Sequence, residues 1–186
     1  MIQREKQINK NLRIAVQMDS LDKINKETDS TLAIIEEACR RNHEVYIYNV
    51  DNLSVENNKP VASANKVLSV NSKKDNFFNL SNIKTISLDT FNIVLIRQDP
   101  PFDMQYITAT YILEMLKSSC IVLNNPKSIR DCPEKLFVMN FPHLMPPTLI
   151  SREKSKINKF IKKYKRVVVK PLYGNGGSDI YYLSQK

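Results

Sequence analysis

The architecture follows from three consecutive segments, which read LRIAVQM (12–18), DSTLAIIEEACRR (29–41) and VYIYNV (45–50). The first and third are short, apolar and rich in β-branched or aromatic residues, a pattern typical of buried strands. Between them, Asp29-Ser30-Thr31 offers an N-cap for a helix predicted over residues 32–41. A strand, a helix and a strand in this order predict a βαβ unit, and therefore an open α/β domain with a parallel sheet.

The alternation of strands and helices continues towards residue 124. Residues 93–97 read IVLIR and predict a buried strand, and the apolar spacing over 105–117 predicts a helix. The segment 51–90 is harder to interpret, and only 66–70 is predicted to form a strand. We therefore predict a Rossmann-like α/β domain with an open, mostly parallel sheet over residues 12–124.

The pattern changes after residue 124, so a second domain is predicted over residues 125–186. It holds a helix predicted over 133–140, a basic helix, and two strands predicted at 167–170 and 180–183. A unit of this size cannot cover both faces of its sheet. We expect it to be an incomplete α+β lobe.

All three glycines of the chain, Gly174, Gly176 and Gly177, lie between these last two strands. Glycine permits positive φ and lets backbone N–H groups approach a ligand, and successive N–H groups in such a loop form an anion site. Lys170, at the end of the preceding strand, adds a charge that favours phosphate. A tight hairpin turn is the alternative, because Asn175-Gly176 is a common hairpin sequence.

Polar residues follow the predicted parallel strands at their carboxyl ends, where open α/β sheets bind ligands. Asp19 follows the first strand, and Arg97 ends the strand that precedes two prolines. The guanidinium of Arg97 suits a substrate carboxylate, although a salt bridge to Asp99 or Asp103 would explain it as well. Ser30 either holds a polar ligand or caps the helix.

The formal net charge of +9 is concentrated in one segment. Residues 152–166 hold eight Lys or Arg against one Glu, and their apolar residues recur every three or four positions. This spacing predicts an amphipathic helix with a solvated basic face. A nucleic-acid or membrane surface is the alternative, and we expect neither partner.

The remaining composition excludes several classes of protein. The cysteines at 39, 120 and 132 fit neither a disulfide framework nor a zinc pattern. The apolar runs are too short to span a bilayer, and the polar start is unlike a signal peptide. We expect reduced cysteines and a cytoplasmic location.

Five segments together resemble the bacterial glutathione synthetases, which are ATP-grasp ligases that join γ-glutamylcysteine to glycine. They lie in the family's order and read VQMD (16–19), DST (29–31), IRQDPPFD (96–103), NPKSIRDCPEKLF (125–137) and KPLYGNGG (170–177). The string RQDPPFD is specific to these synthetases, whereas the glycine loop alone would indicate only the wider ATP-grasp superfamily.

The resemblance implies a pre-ATP-grasp domain on the substrate side, followed by the start of an ATP-grasp lobe. On these grounds Lys135 and Lys170 contact ATP phosphates, and the loop of Gly174, Asn175, Gly176 and Gly177 closes over them. Asp19, Ser30 and Arg97 lie on the peptide-substrate side.

The resemblance also implies the reaction and its partners. ATP phosphorylates the carboxylate of γ-glutamylcysteine, glycine attacks the acyl phosphate, and Mg²⁺ or Mn²⁺ assists. The family's metal ligands are expected beyond residue 186, so we expect an N-terminal piece that is inactive alone and homo-oligomeric when full length. A related carboxylate–amine ligase with other substrates, or a non-catalytic binding or regulatory remnant, are the alternatives.

Overall fold

The computed structural model describes residues 11–116, 119–174 and 176–184, which fall into two units by their internal contacts. The first unit contains the residues up to Asp99 together with Met104–Ile129, and the second contains Pro100–Asp103 and the residues from Arg130 onward.

The first unit is built on one eight-stranded sheet. Its strands are β1 (Arg13–Gln17), β2 (Glu44–Tyr48), β3 (Leu53–Glu56), β4 (Lys59–Val70), β5 (Phe78–Leu80), β6 (Lys84–Ser87), β7 (Ile93–Ile96) and β8 (Ile121–Leu123). Its helices are α1 (Ser30–Arg40) and α2 (Met104–Glu114), and α3 (Pro126–Asp131) follows β8. Strands β2, β1, β7 and β8 are neighbours in this order and run parallel, which confirms the predicted α/β class.

The sheet has an antiparallel extension that the sequence analysis did not foresee. Strand β4 pairs antiparallel with β2, and also with β3, β5 and β6, so most of the segment 51–90 is strand. The turn from β3 to β4 consists of Asn57 and Asn58, with φ of 50° and 61°. A two-residue hairpin of type I′ needs positive φ at both positions, which asparagine tolerates.

Each face of the sheet carries its own apolar core. Residues such as Val16 and Leu32 pack on the α1 face, and residues such as Val94 and Leu113 pack on the other. Helix α1 begins at Ser30, two residues before the predicted start, and the predicted N-cap is confirmed because the Asp29 carboxylate accepts a hydrogen bond of 2.7 Å from the Leu32 N–H.

The second unit contains the helices α4 (Glu134–Phe137) and α5 (Lys154–Tyr164) and the antiparallel strands β9 (Arg166–Val169) and β10 (Tyr181–Ser184). Helix α5 has the predicted amphipathic form, with partly buried Ile157 and Phe160 and exposed lysines. Residues 170–180 join β9 to β10, so the two strands form a hairpin, although its connection is much longer than a tight turn.

The second unit leaves its apolar residues open to solvent. None of its described residues from 130 to 184 is buried, and Leu144 and Tyr182 are 74% and 82% exposed. A stable lobe would cover such side chains. In the described parts of the chain, no helix has the length and hydropathy that crossing a bilayer requires.

Candidate functional site

The predicted site residues fall into two groups, and each group lies within one unit. The strand-end cluster of the first unit comprises Asp19, Ser30, Thr31, Arg97 and Tyr106. The glycine loop of the second unit comprises residues 170–180 and receives Lys135.

The parallel pairing of β1 with β7 brings Asp19 and Arg97 to the same edge of the sheet. The pairing aligns Gln17 with Ile96, and the Arg97 N–H extends it by donating to the Gln17 carbonyl at 2.7 Å. Asp19 and Arg97 follow directly at the carboxyl ends of these strands. This is the edge at which open α/β sheets bind ligands.

Two hydroxyl groups at the start of α1 anchor the guanidinium of Arg97. Its Nε donates to Thr31 Oγ1 at 3.1 Å, and its Nη2 donates to Ser30 Oγ at 2.7 Å. Ser30 therefore contacts Arg97, while Asp29 caps the helix. A guanidinium has five N–H donors, and these two bonds use two of them. The Arg97 guanidinium therefore retains N–H donors for an acidic ligand.

The backbone that follows Arg97 is also fixed to β1. The Asp99 N–H donates to Asp19 Oδ2 at 2.6 Å, and Gln17 Nε2 donates to Gln98 Oε1. Gln17 is only 1% exposed, so this amide forms the floor of the cluster. Asp19 thus positions the turn that leads into the two prolines.

Tyr106, in the first turns of α2, is a member of the cluster that the sequence analysis did not identify. Burial raises the pKa of its phenol, the charges of Asp19 and Asp99 raise it further, and Arg97 opposes them. These electrostatic couplings associate the phenol with the strand-end cluster. The short spacing from Arg97 to Tyr106 through a proline turn was the only signal in the sequence.

In the second unit, the structure brings Lys135 onto the glycine loop. Helix α4 carries the half-buried lysine, and its ammonium donates a hydrogen bond to the Gly174 carbonyl. These residues are 39 positions apart in the chain. The fold therefore positions Lys135, which the resemblance implies as a phosphate contact, at the loop that the glycines indicate.

The glycines of the loop serve two different purposes. Gly176 and Gly177 have φ of +58° and +80°, and a Cβ on either would meet no atom within 4 Å. A Cβ on Gly174 would lie 2.5 Å from Pro171 Cγ, so there the loop packs closely on itself. The open space beside Gly176 and Gly177 leaves room for a ligand against the backbone. Asn175 lies outside the described residues.

Lys170 directly follows β9 and is exposed. Within the described residues its ammonium has no hydrogen bond or ion pair, so the structure places the lysine at the loop's entrance without fixing it there.

Within residues 11–116, 119–174 and 176–184, no group of three or more His, Cys, Asp or Glu side chains is placed to hold an ion.

Comparison with known proteins identifies the family to which the chain is similar. The family model described as the prokaryotic glutathione synthetase N-terminal domain matches residues 12–130, and the model of that family's ATP-grasp domain matches 134–186. Glutathione synthetases of Rhodopseudomonas palustris and Bradyrhizobium diazoefficiens are 45% and 47% identical over 170 residues. That of Buchnera aphidicola from Schizaphis graminum is 37% identical over 177 residues.

The matches cover most of this chain but only part of those proteins. The first two alignments include 91% of this chain and 54% of each relative, and the third includes 95% and 55%. The chain therefore spans about half the length of the curated relatives it matches.

Proposed function

Because this chain belongs to the prokaryotic glutathione synthetase family, we propose that it supplies the peptide-substrate side and part of the ATP site of a ligase. The reaction joins γ-glutamylcysteine to glycine with hydrolysis of ATP to ADP and phosphate. The contact between Lys135 and the glycine loop is the single observation that carries this proposal, since it unites two elements that a phosphate site needs.

The strand-end cluster is proposed to hold γ-glutamylcysteine. The peptide carries carboxylates. The guanidinium of Arg97 has paired N–H donors whose geometry matches the two oxygens of a carboxylate. Ser30 and Thr31 keep that fork oriented, while Asp19 holds the adjoining turn. An ammonium group on the ligand would find the carboxylates of Asp19 and Asp99 nearby.

The glycine loop is proposed to hold the phosphates of ATP. Lys135 and Lys170 supply positive charge, and the backbone at Gly174, Asn175, Gly176 and Gly177 supplies N–H donors. In this structure the ammonium of Lys135 contacts a loop carbonyl. When ATP binds, we expect that ammonium to exchange the carbonyl for a phosphate oxygen.

The chemistry explains why such a site is needed. A carboxylate does not condense with an amine in water, because its oxygen is a poor leaving group. Transfer of the γ-phosphoryl group of ATP to a carboxylate oxygen forms an acyl phosphate and ADP. The amine of glycine then attacks the acyl carbon, forms the amide and expels phosphate.

The residues of the loop favour these two reaction steps in two ways. Phosphoryl transfer depends mainly on positioning and on neutralising charge, which lysines and backbone amides provide. Closure of this loop over the acyl phosphate would exclude water, which otherwise hydrolyses it. A divalent ion, Mg²⁺ or Mn²⁺, would neutralise the phosphate charge when bound.

The proposal also covers the completion of the lobe, the location and assembly of the enzyme, and the activity of the chain by itself. The exposed apolar residues of the second unit suit an ATP-grasp lobe that more polypeptide completes. We propose a cytoplasmic, homo-oligomeric enzyme that has neither nucleic acid nor membrane as a partner. By itself, the 186-residue chain is expected to bind ATP weakly and to release no ADP.

A chimeric enzyme tests this function directly. In this ligase chimera, residues 12–184 of the chain precede the part of the Rhodopseudomonas palustris synthetase that lies beyond its matched region. We expect ADP release that requires both γ-glutamylcysteine and glycine, with the unmodified relative as the control. A folded chimera that binds neither ATP nor the peptide would refute the proposal.

A further inference from the structure

The side chain of Gln17 is almost completely buried, yet the fold satisfies only part of its amide. It is 1% exposed, and its Nε2 donates a hydrogen bond to Gln98 Oε1. Its own Oε1 has no hydrogen-bond partner among the described residues. A buried polar atom without a partner is destabilising, and folded proteins keep few of them. The contact between Gln17 and Gln98 therefore requires an explanation other than stability.

This contact fixes the direction of the Gln98 amide. Because Gln98 Oε1 accepts from Gln17, its Nε2 points away from Gln17. Gln98 is partly exposed, and no acceptor among the described residues receives its Nε2 hydrogens. With both amides reversed, the Nε2 of Gln17 would be buried without an acceptor, and such N–H groups are rarer than unsatisfied carbonyl oxygens. Gln98 thus retains two N–H donors on the side away from Gln17.

The two amides lie at the carboxyl edge of the sheet, next to Arg97. Gln17 aligns with Ile96 in the pairing of β1 and β7, and Ile96 packs in the core on the α2 face. Since directly paired residues share a face, the amides of Gln17 and Gln98 meet on the α2 side. The Arg97 guanidinium lies on the other side, where it binds Ser30 of α1. A ligand at this edge would meet Arg97 and Gln98 from opposite sides of the sheet.

We propose that Gln98 is a substrate-binding residue of the ligase and that Gln17 positions it. The inference rests on the proposed function, since it names a further contact to γ-glutamylcysteine. The guanidinium of Arg97 suits a carboxylate, whereas an uncharged N–H donor suits an uncharged acceptor. The strongest uncharged acceptor of γ-glutamylcysteine is the carbonyl oxygen of its amide bond. Gln98 therefore distinguishes the dipeptide from free glutamate and free cysteine, which lack that amide.

Kinetics of the ligase chimera test both roles. Gln98→Met keeps the length of the side chain and removes its donors. It should raise KM for γ-glutamylcysteine about fivefold, as expected for a hydrogen bond between uncharged groups, while KM for ATP stays unchanged. Gln17→Met should raise the same KM by no larger a factor. The double variant should match Gln98→Met alone, because Gln17 acts only through Gln98.

Stability and a control variant separate positioning from a structural role. Gln17→Met removes the unsatisfied oxygen, so the urea midpoint of the purified chain should be no lower than that of the parent. Tyr48→Phe is the matched control. Tyr48 pairs with Gln17 in the β1–β2 register and is 3% exposed, and its hydroxyl also has no hydrogen-bond partner within the described ranges. This variant should keep the parental KM for the peptide.

Each result has a defined meaning. An inactive parent chimera would overturn the proposed function and this inference with it. An active parent whose KM for the peptide is unchanged in Gln98→Met overturns the inference alone. Additive effects in the double variant, or a Gln17→Met chain with a lower urea midpoint and a parental KM, overturn the positioning role of Gln17. A rise in KM above about thirtyfold in Gln98→Met is too large for an uncharged acceptor and would overturn the assignment to the amide carbonyl.

Discussion

Replacing Thr31 with valine tests whether Arg97 is positioned for a ligand. Thr31 is 5% exposed, and its hydroxyl accepts the Arg97 Nε hydrogen bond of 3.1 Å. Valine has nearly the same shape and is also β-branched, so the packing of the side chain is kept and only the acceptor is lost. The serine variant retains the acceptor and is the matched control.

The size of the effect follows from the geometry. A hydrogen bond to a charged group contributes about 1.5–3 kcal/mol. The bond lies at the long end of the usual range, and Arg97 is half-exposed, so water can replace part of it. We therefore expect about 1.5 kcal/mol, which corresponds to an about tenfold weaker interaction with a carboxylate.

Kinetics of the ligase chimera provide the assay. Thr31→Val should raise KM for γ-glutamylcysteine about tenfold while KM for ATP stays unchanged, and Thr31→Ser should resemble the parent. An equal change in both KM values would indicate a general structural role. If the valine variant keeps the parental KM for the peptide, the reasoning about Arg97 is wrong.

Three other predictions concern single residues. Asp29→Ala removes the cap bond to the Leu32 N–H and should cost about 1 kcal/mol of unfolding free energy in urea; an unaltered midpoint would contradict it, and Asp29→Asn should retain most of the stability. Gly176→Ala adds only the strain of φ +58°, so it should cost about 1 kcal/mol of unfolding free energy in urea; a parental midpoint would show that the loop tolerates a side chain there. The pKa of Glu37 is lowered to about 2, chiefly by the hydrogen bond from Arg40. Because this pKa is depressed in the folded state, the small stabilisation is present above the ordinary value of 4.5 and is lost as pH falls towards 2; NMR titration of Arg40→Ala should show a higher Glu37 pKa, and an unmoved one would contradict the assignment.

The parallel centre of the sheet could be predicted because its signals are local. Leu32 and Ile35 repeat at helical spacing between two apolar strands, and such a unit has few possible topologies. The antiparallel strands were missed because β4 mixes polar and apolar residues and gains its stability from distant partners. The adjacent Asn57 and Asn58 were an available signal for the turn into β4.

For the candidate sites too, the sequence indicated single residues but not the contacts that they make with residues far away in the chain. Residue type identified Arg97 as a candidate and the family resemblance identified Lys135, but their partners Thr31 and Gly174 lie 66 and 39 positions away in the chain. Only the fold brings such pairs together. The one sequence signal for Tyr106 was its short spacing from Arg97, and it is weak because a tyrosine on the buried face of a helix is ordinary. The division of the chain near residue 125 stays a prediction.

Calorimetric titration of ATP into the ligase chimera and its Lys135→Met variant tests the proposed phosphate site most directly. Loss of a charge-assisted bond of about 1.5–3 kcal/mol should weaken ATP binding by at least about tenfold. Lys162→Met, which removes an exposed charge from α5, should have no such effect. Equal ATP affinity in the parent and in Lys135→Met would contradict the assignment of the glycine loop to phosphate.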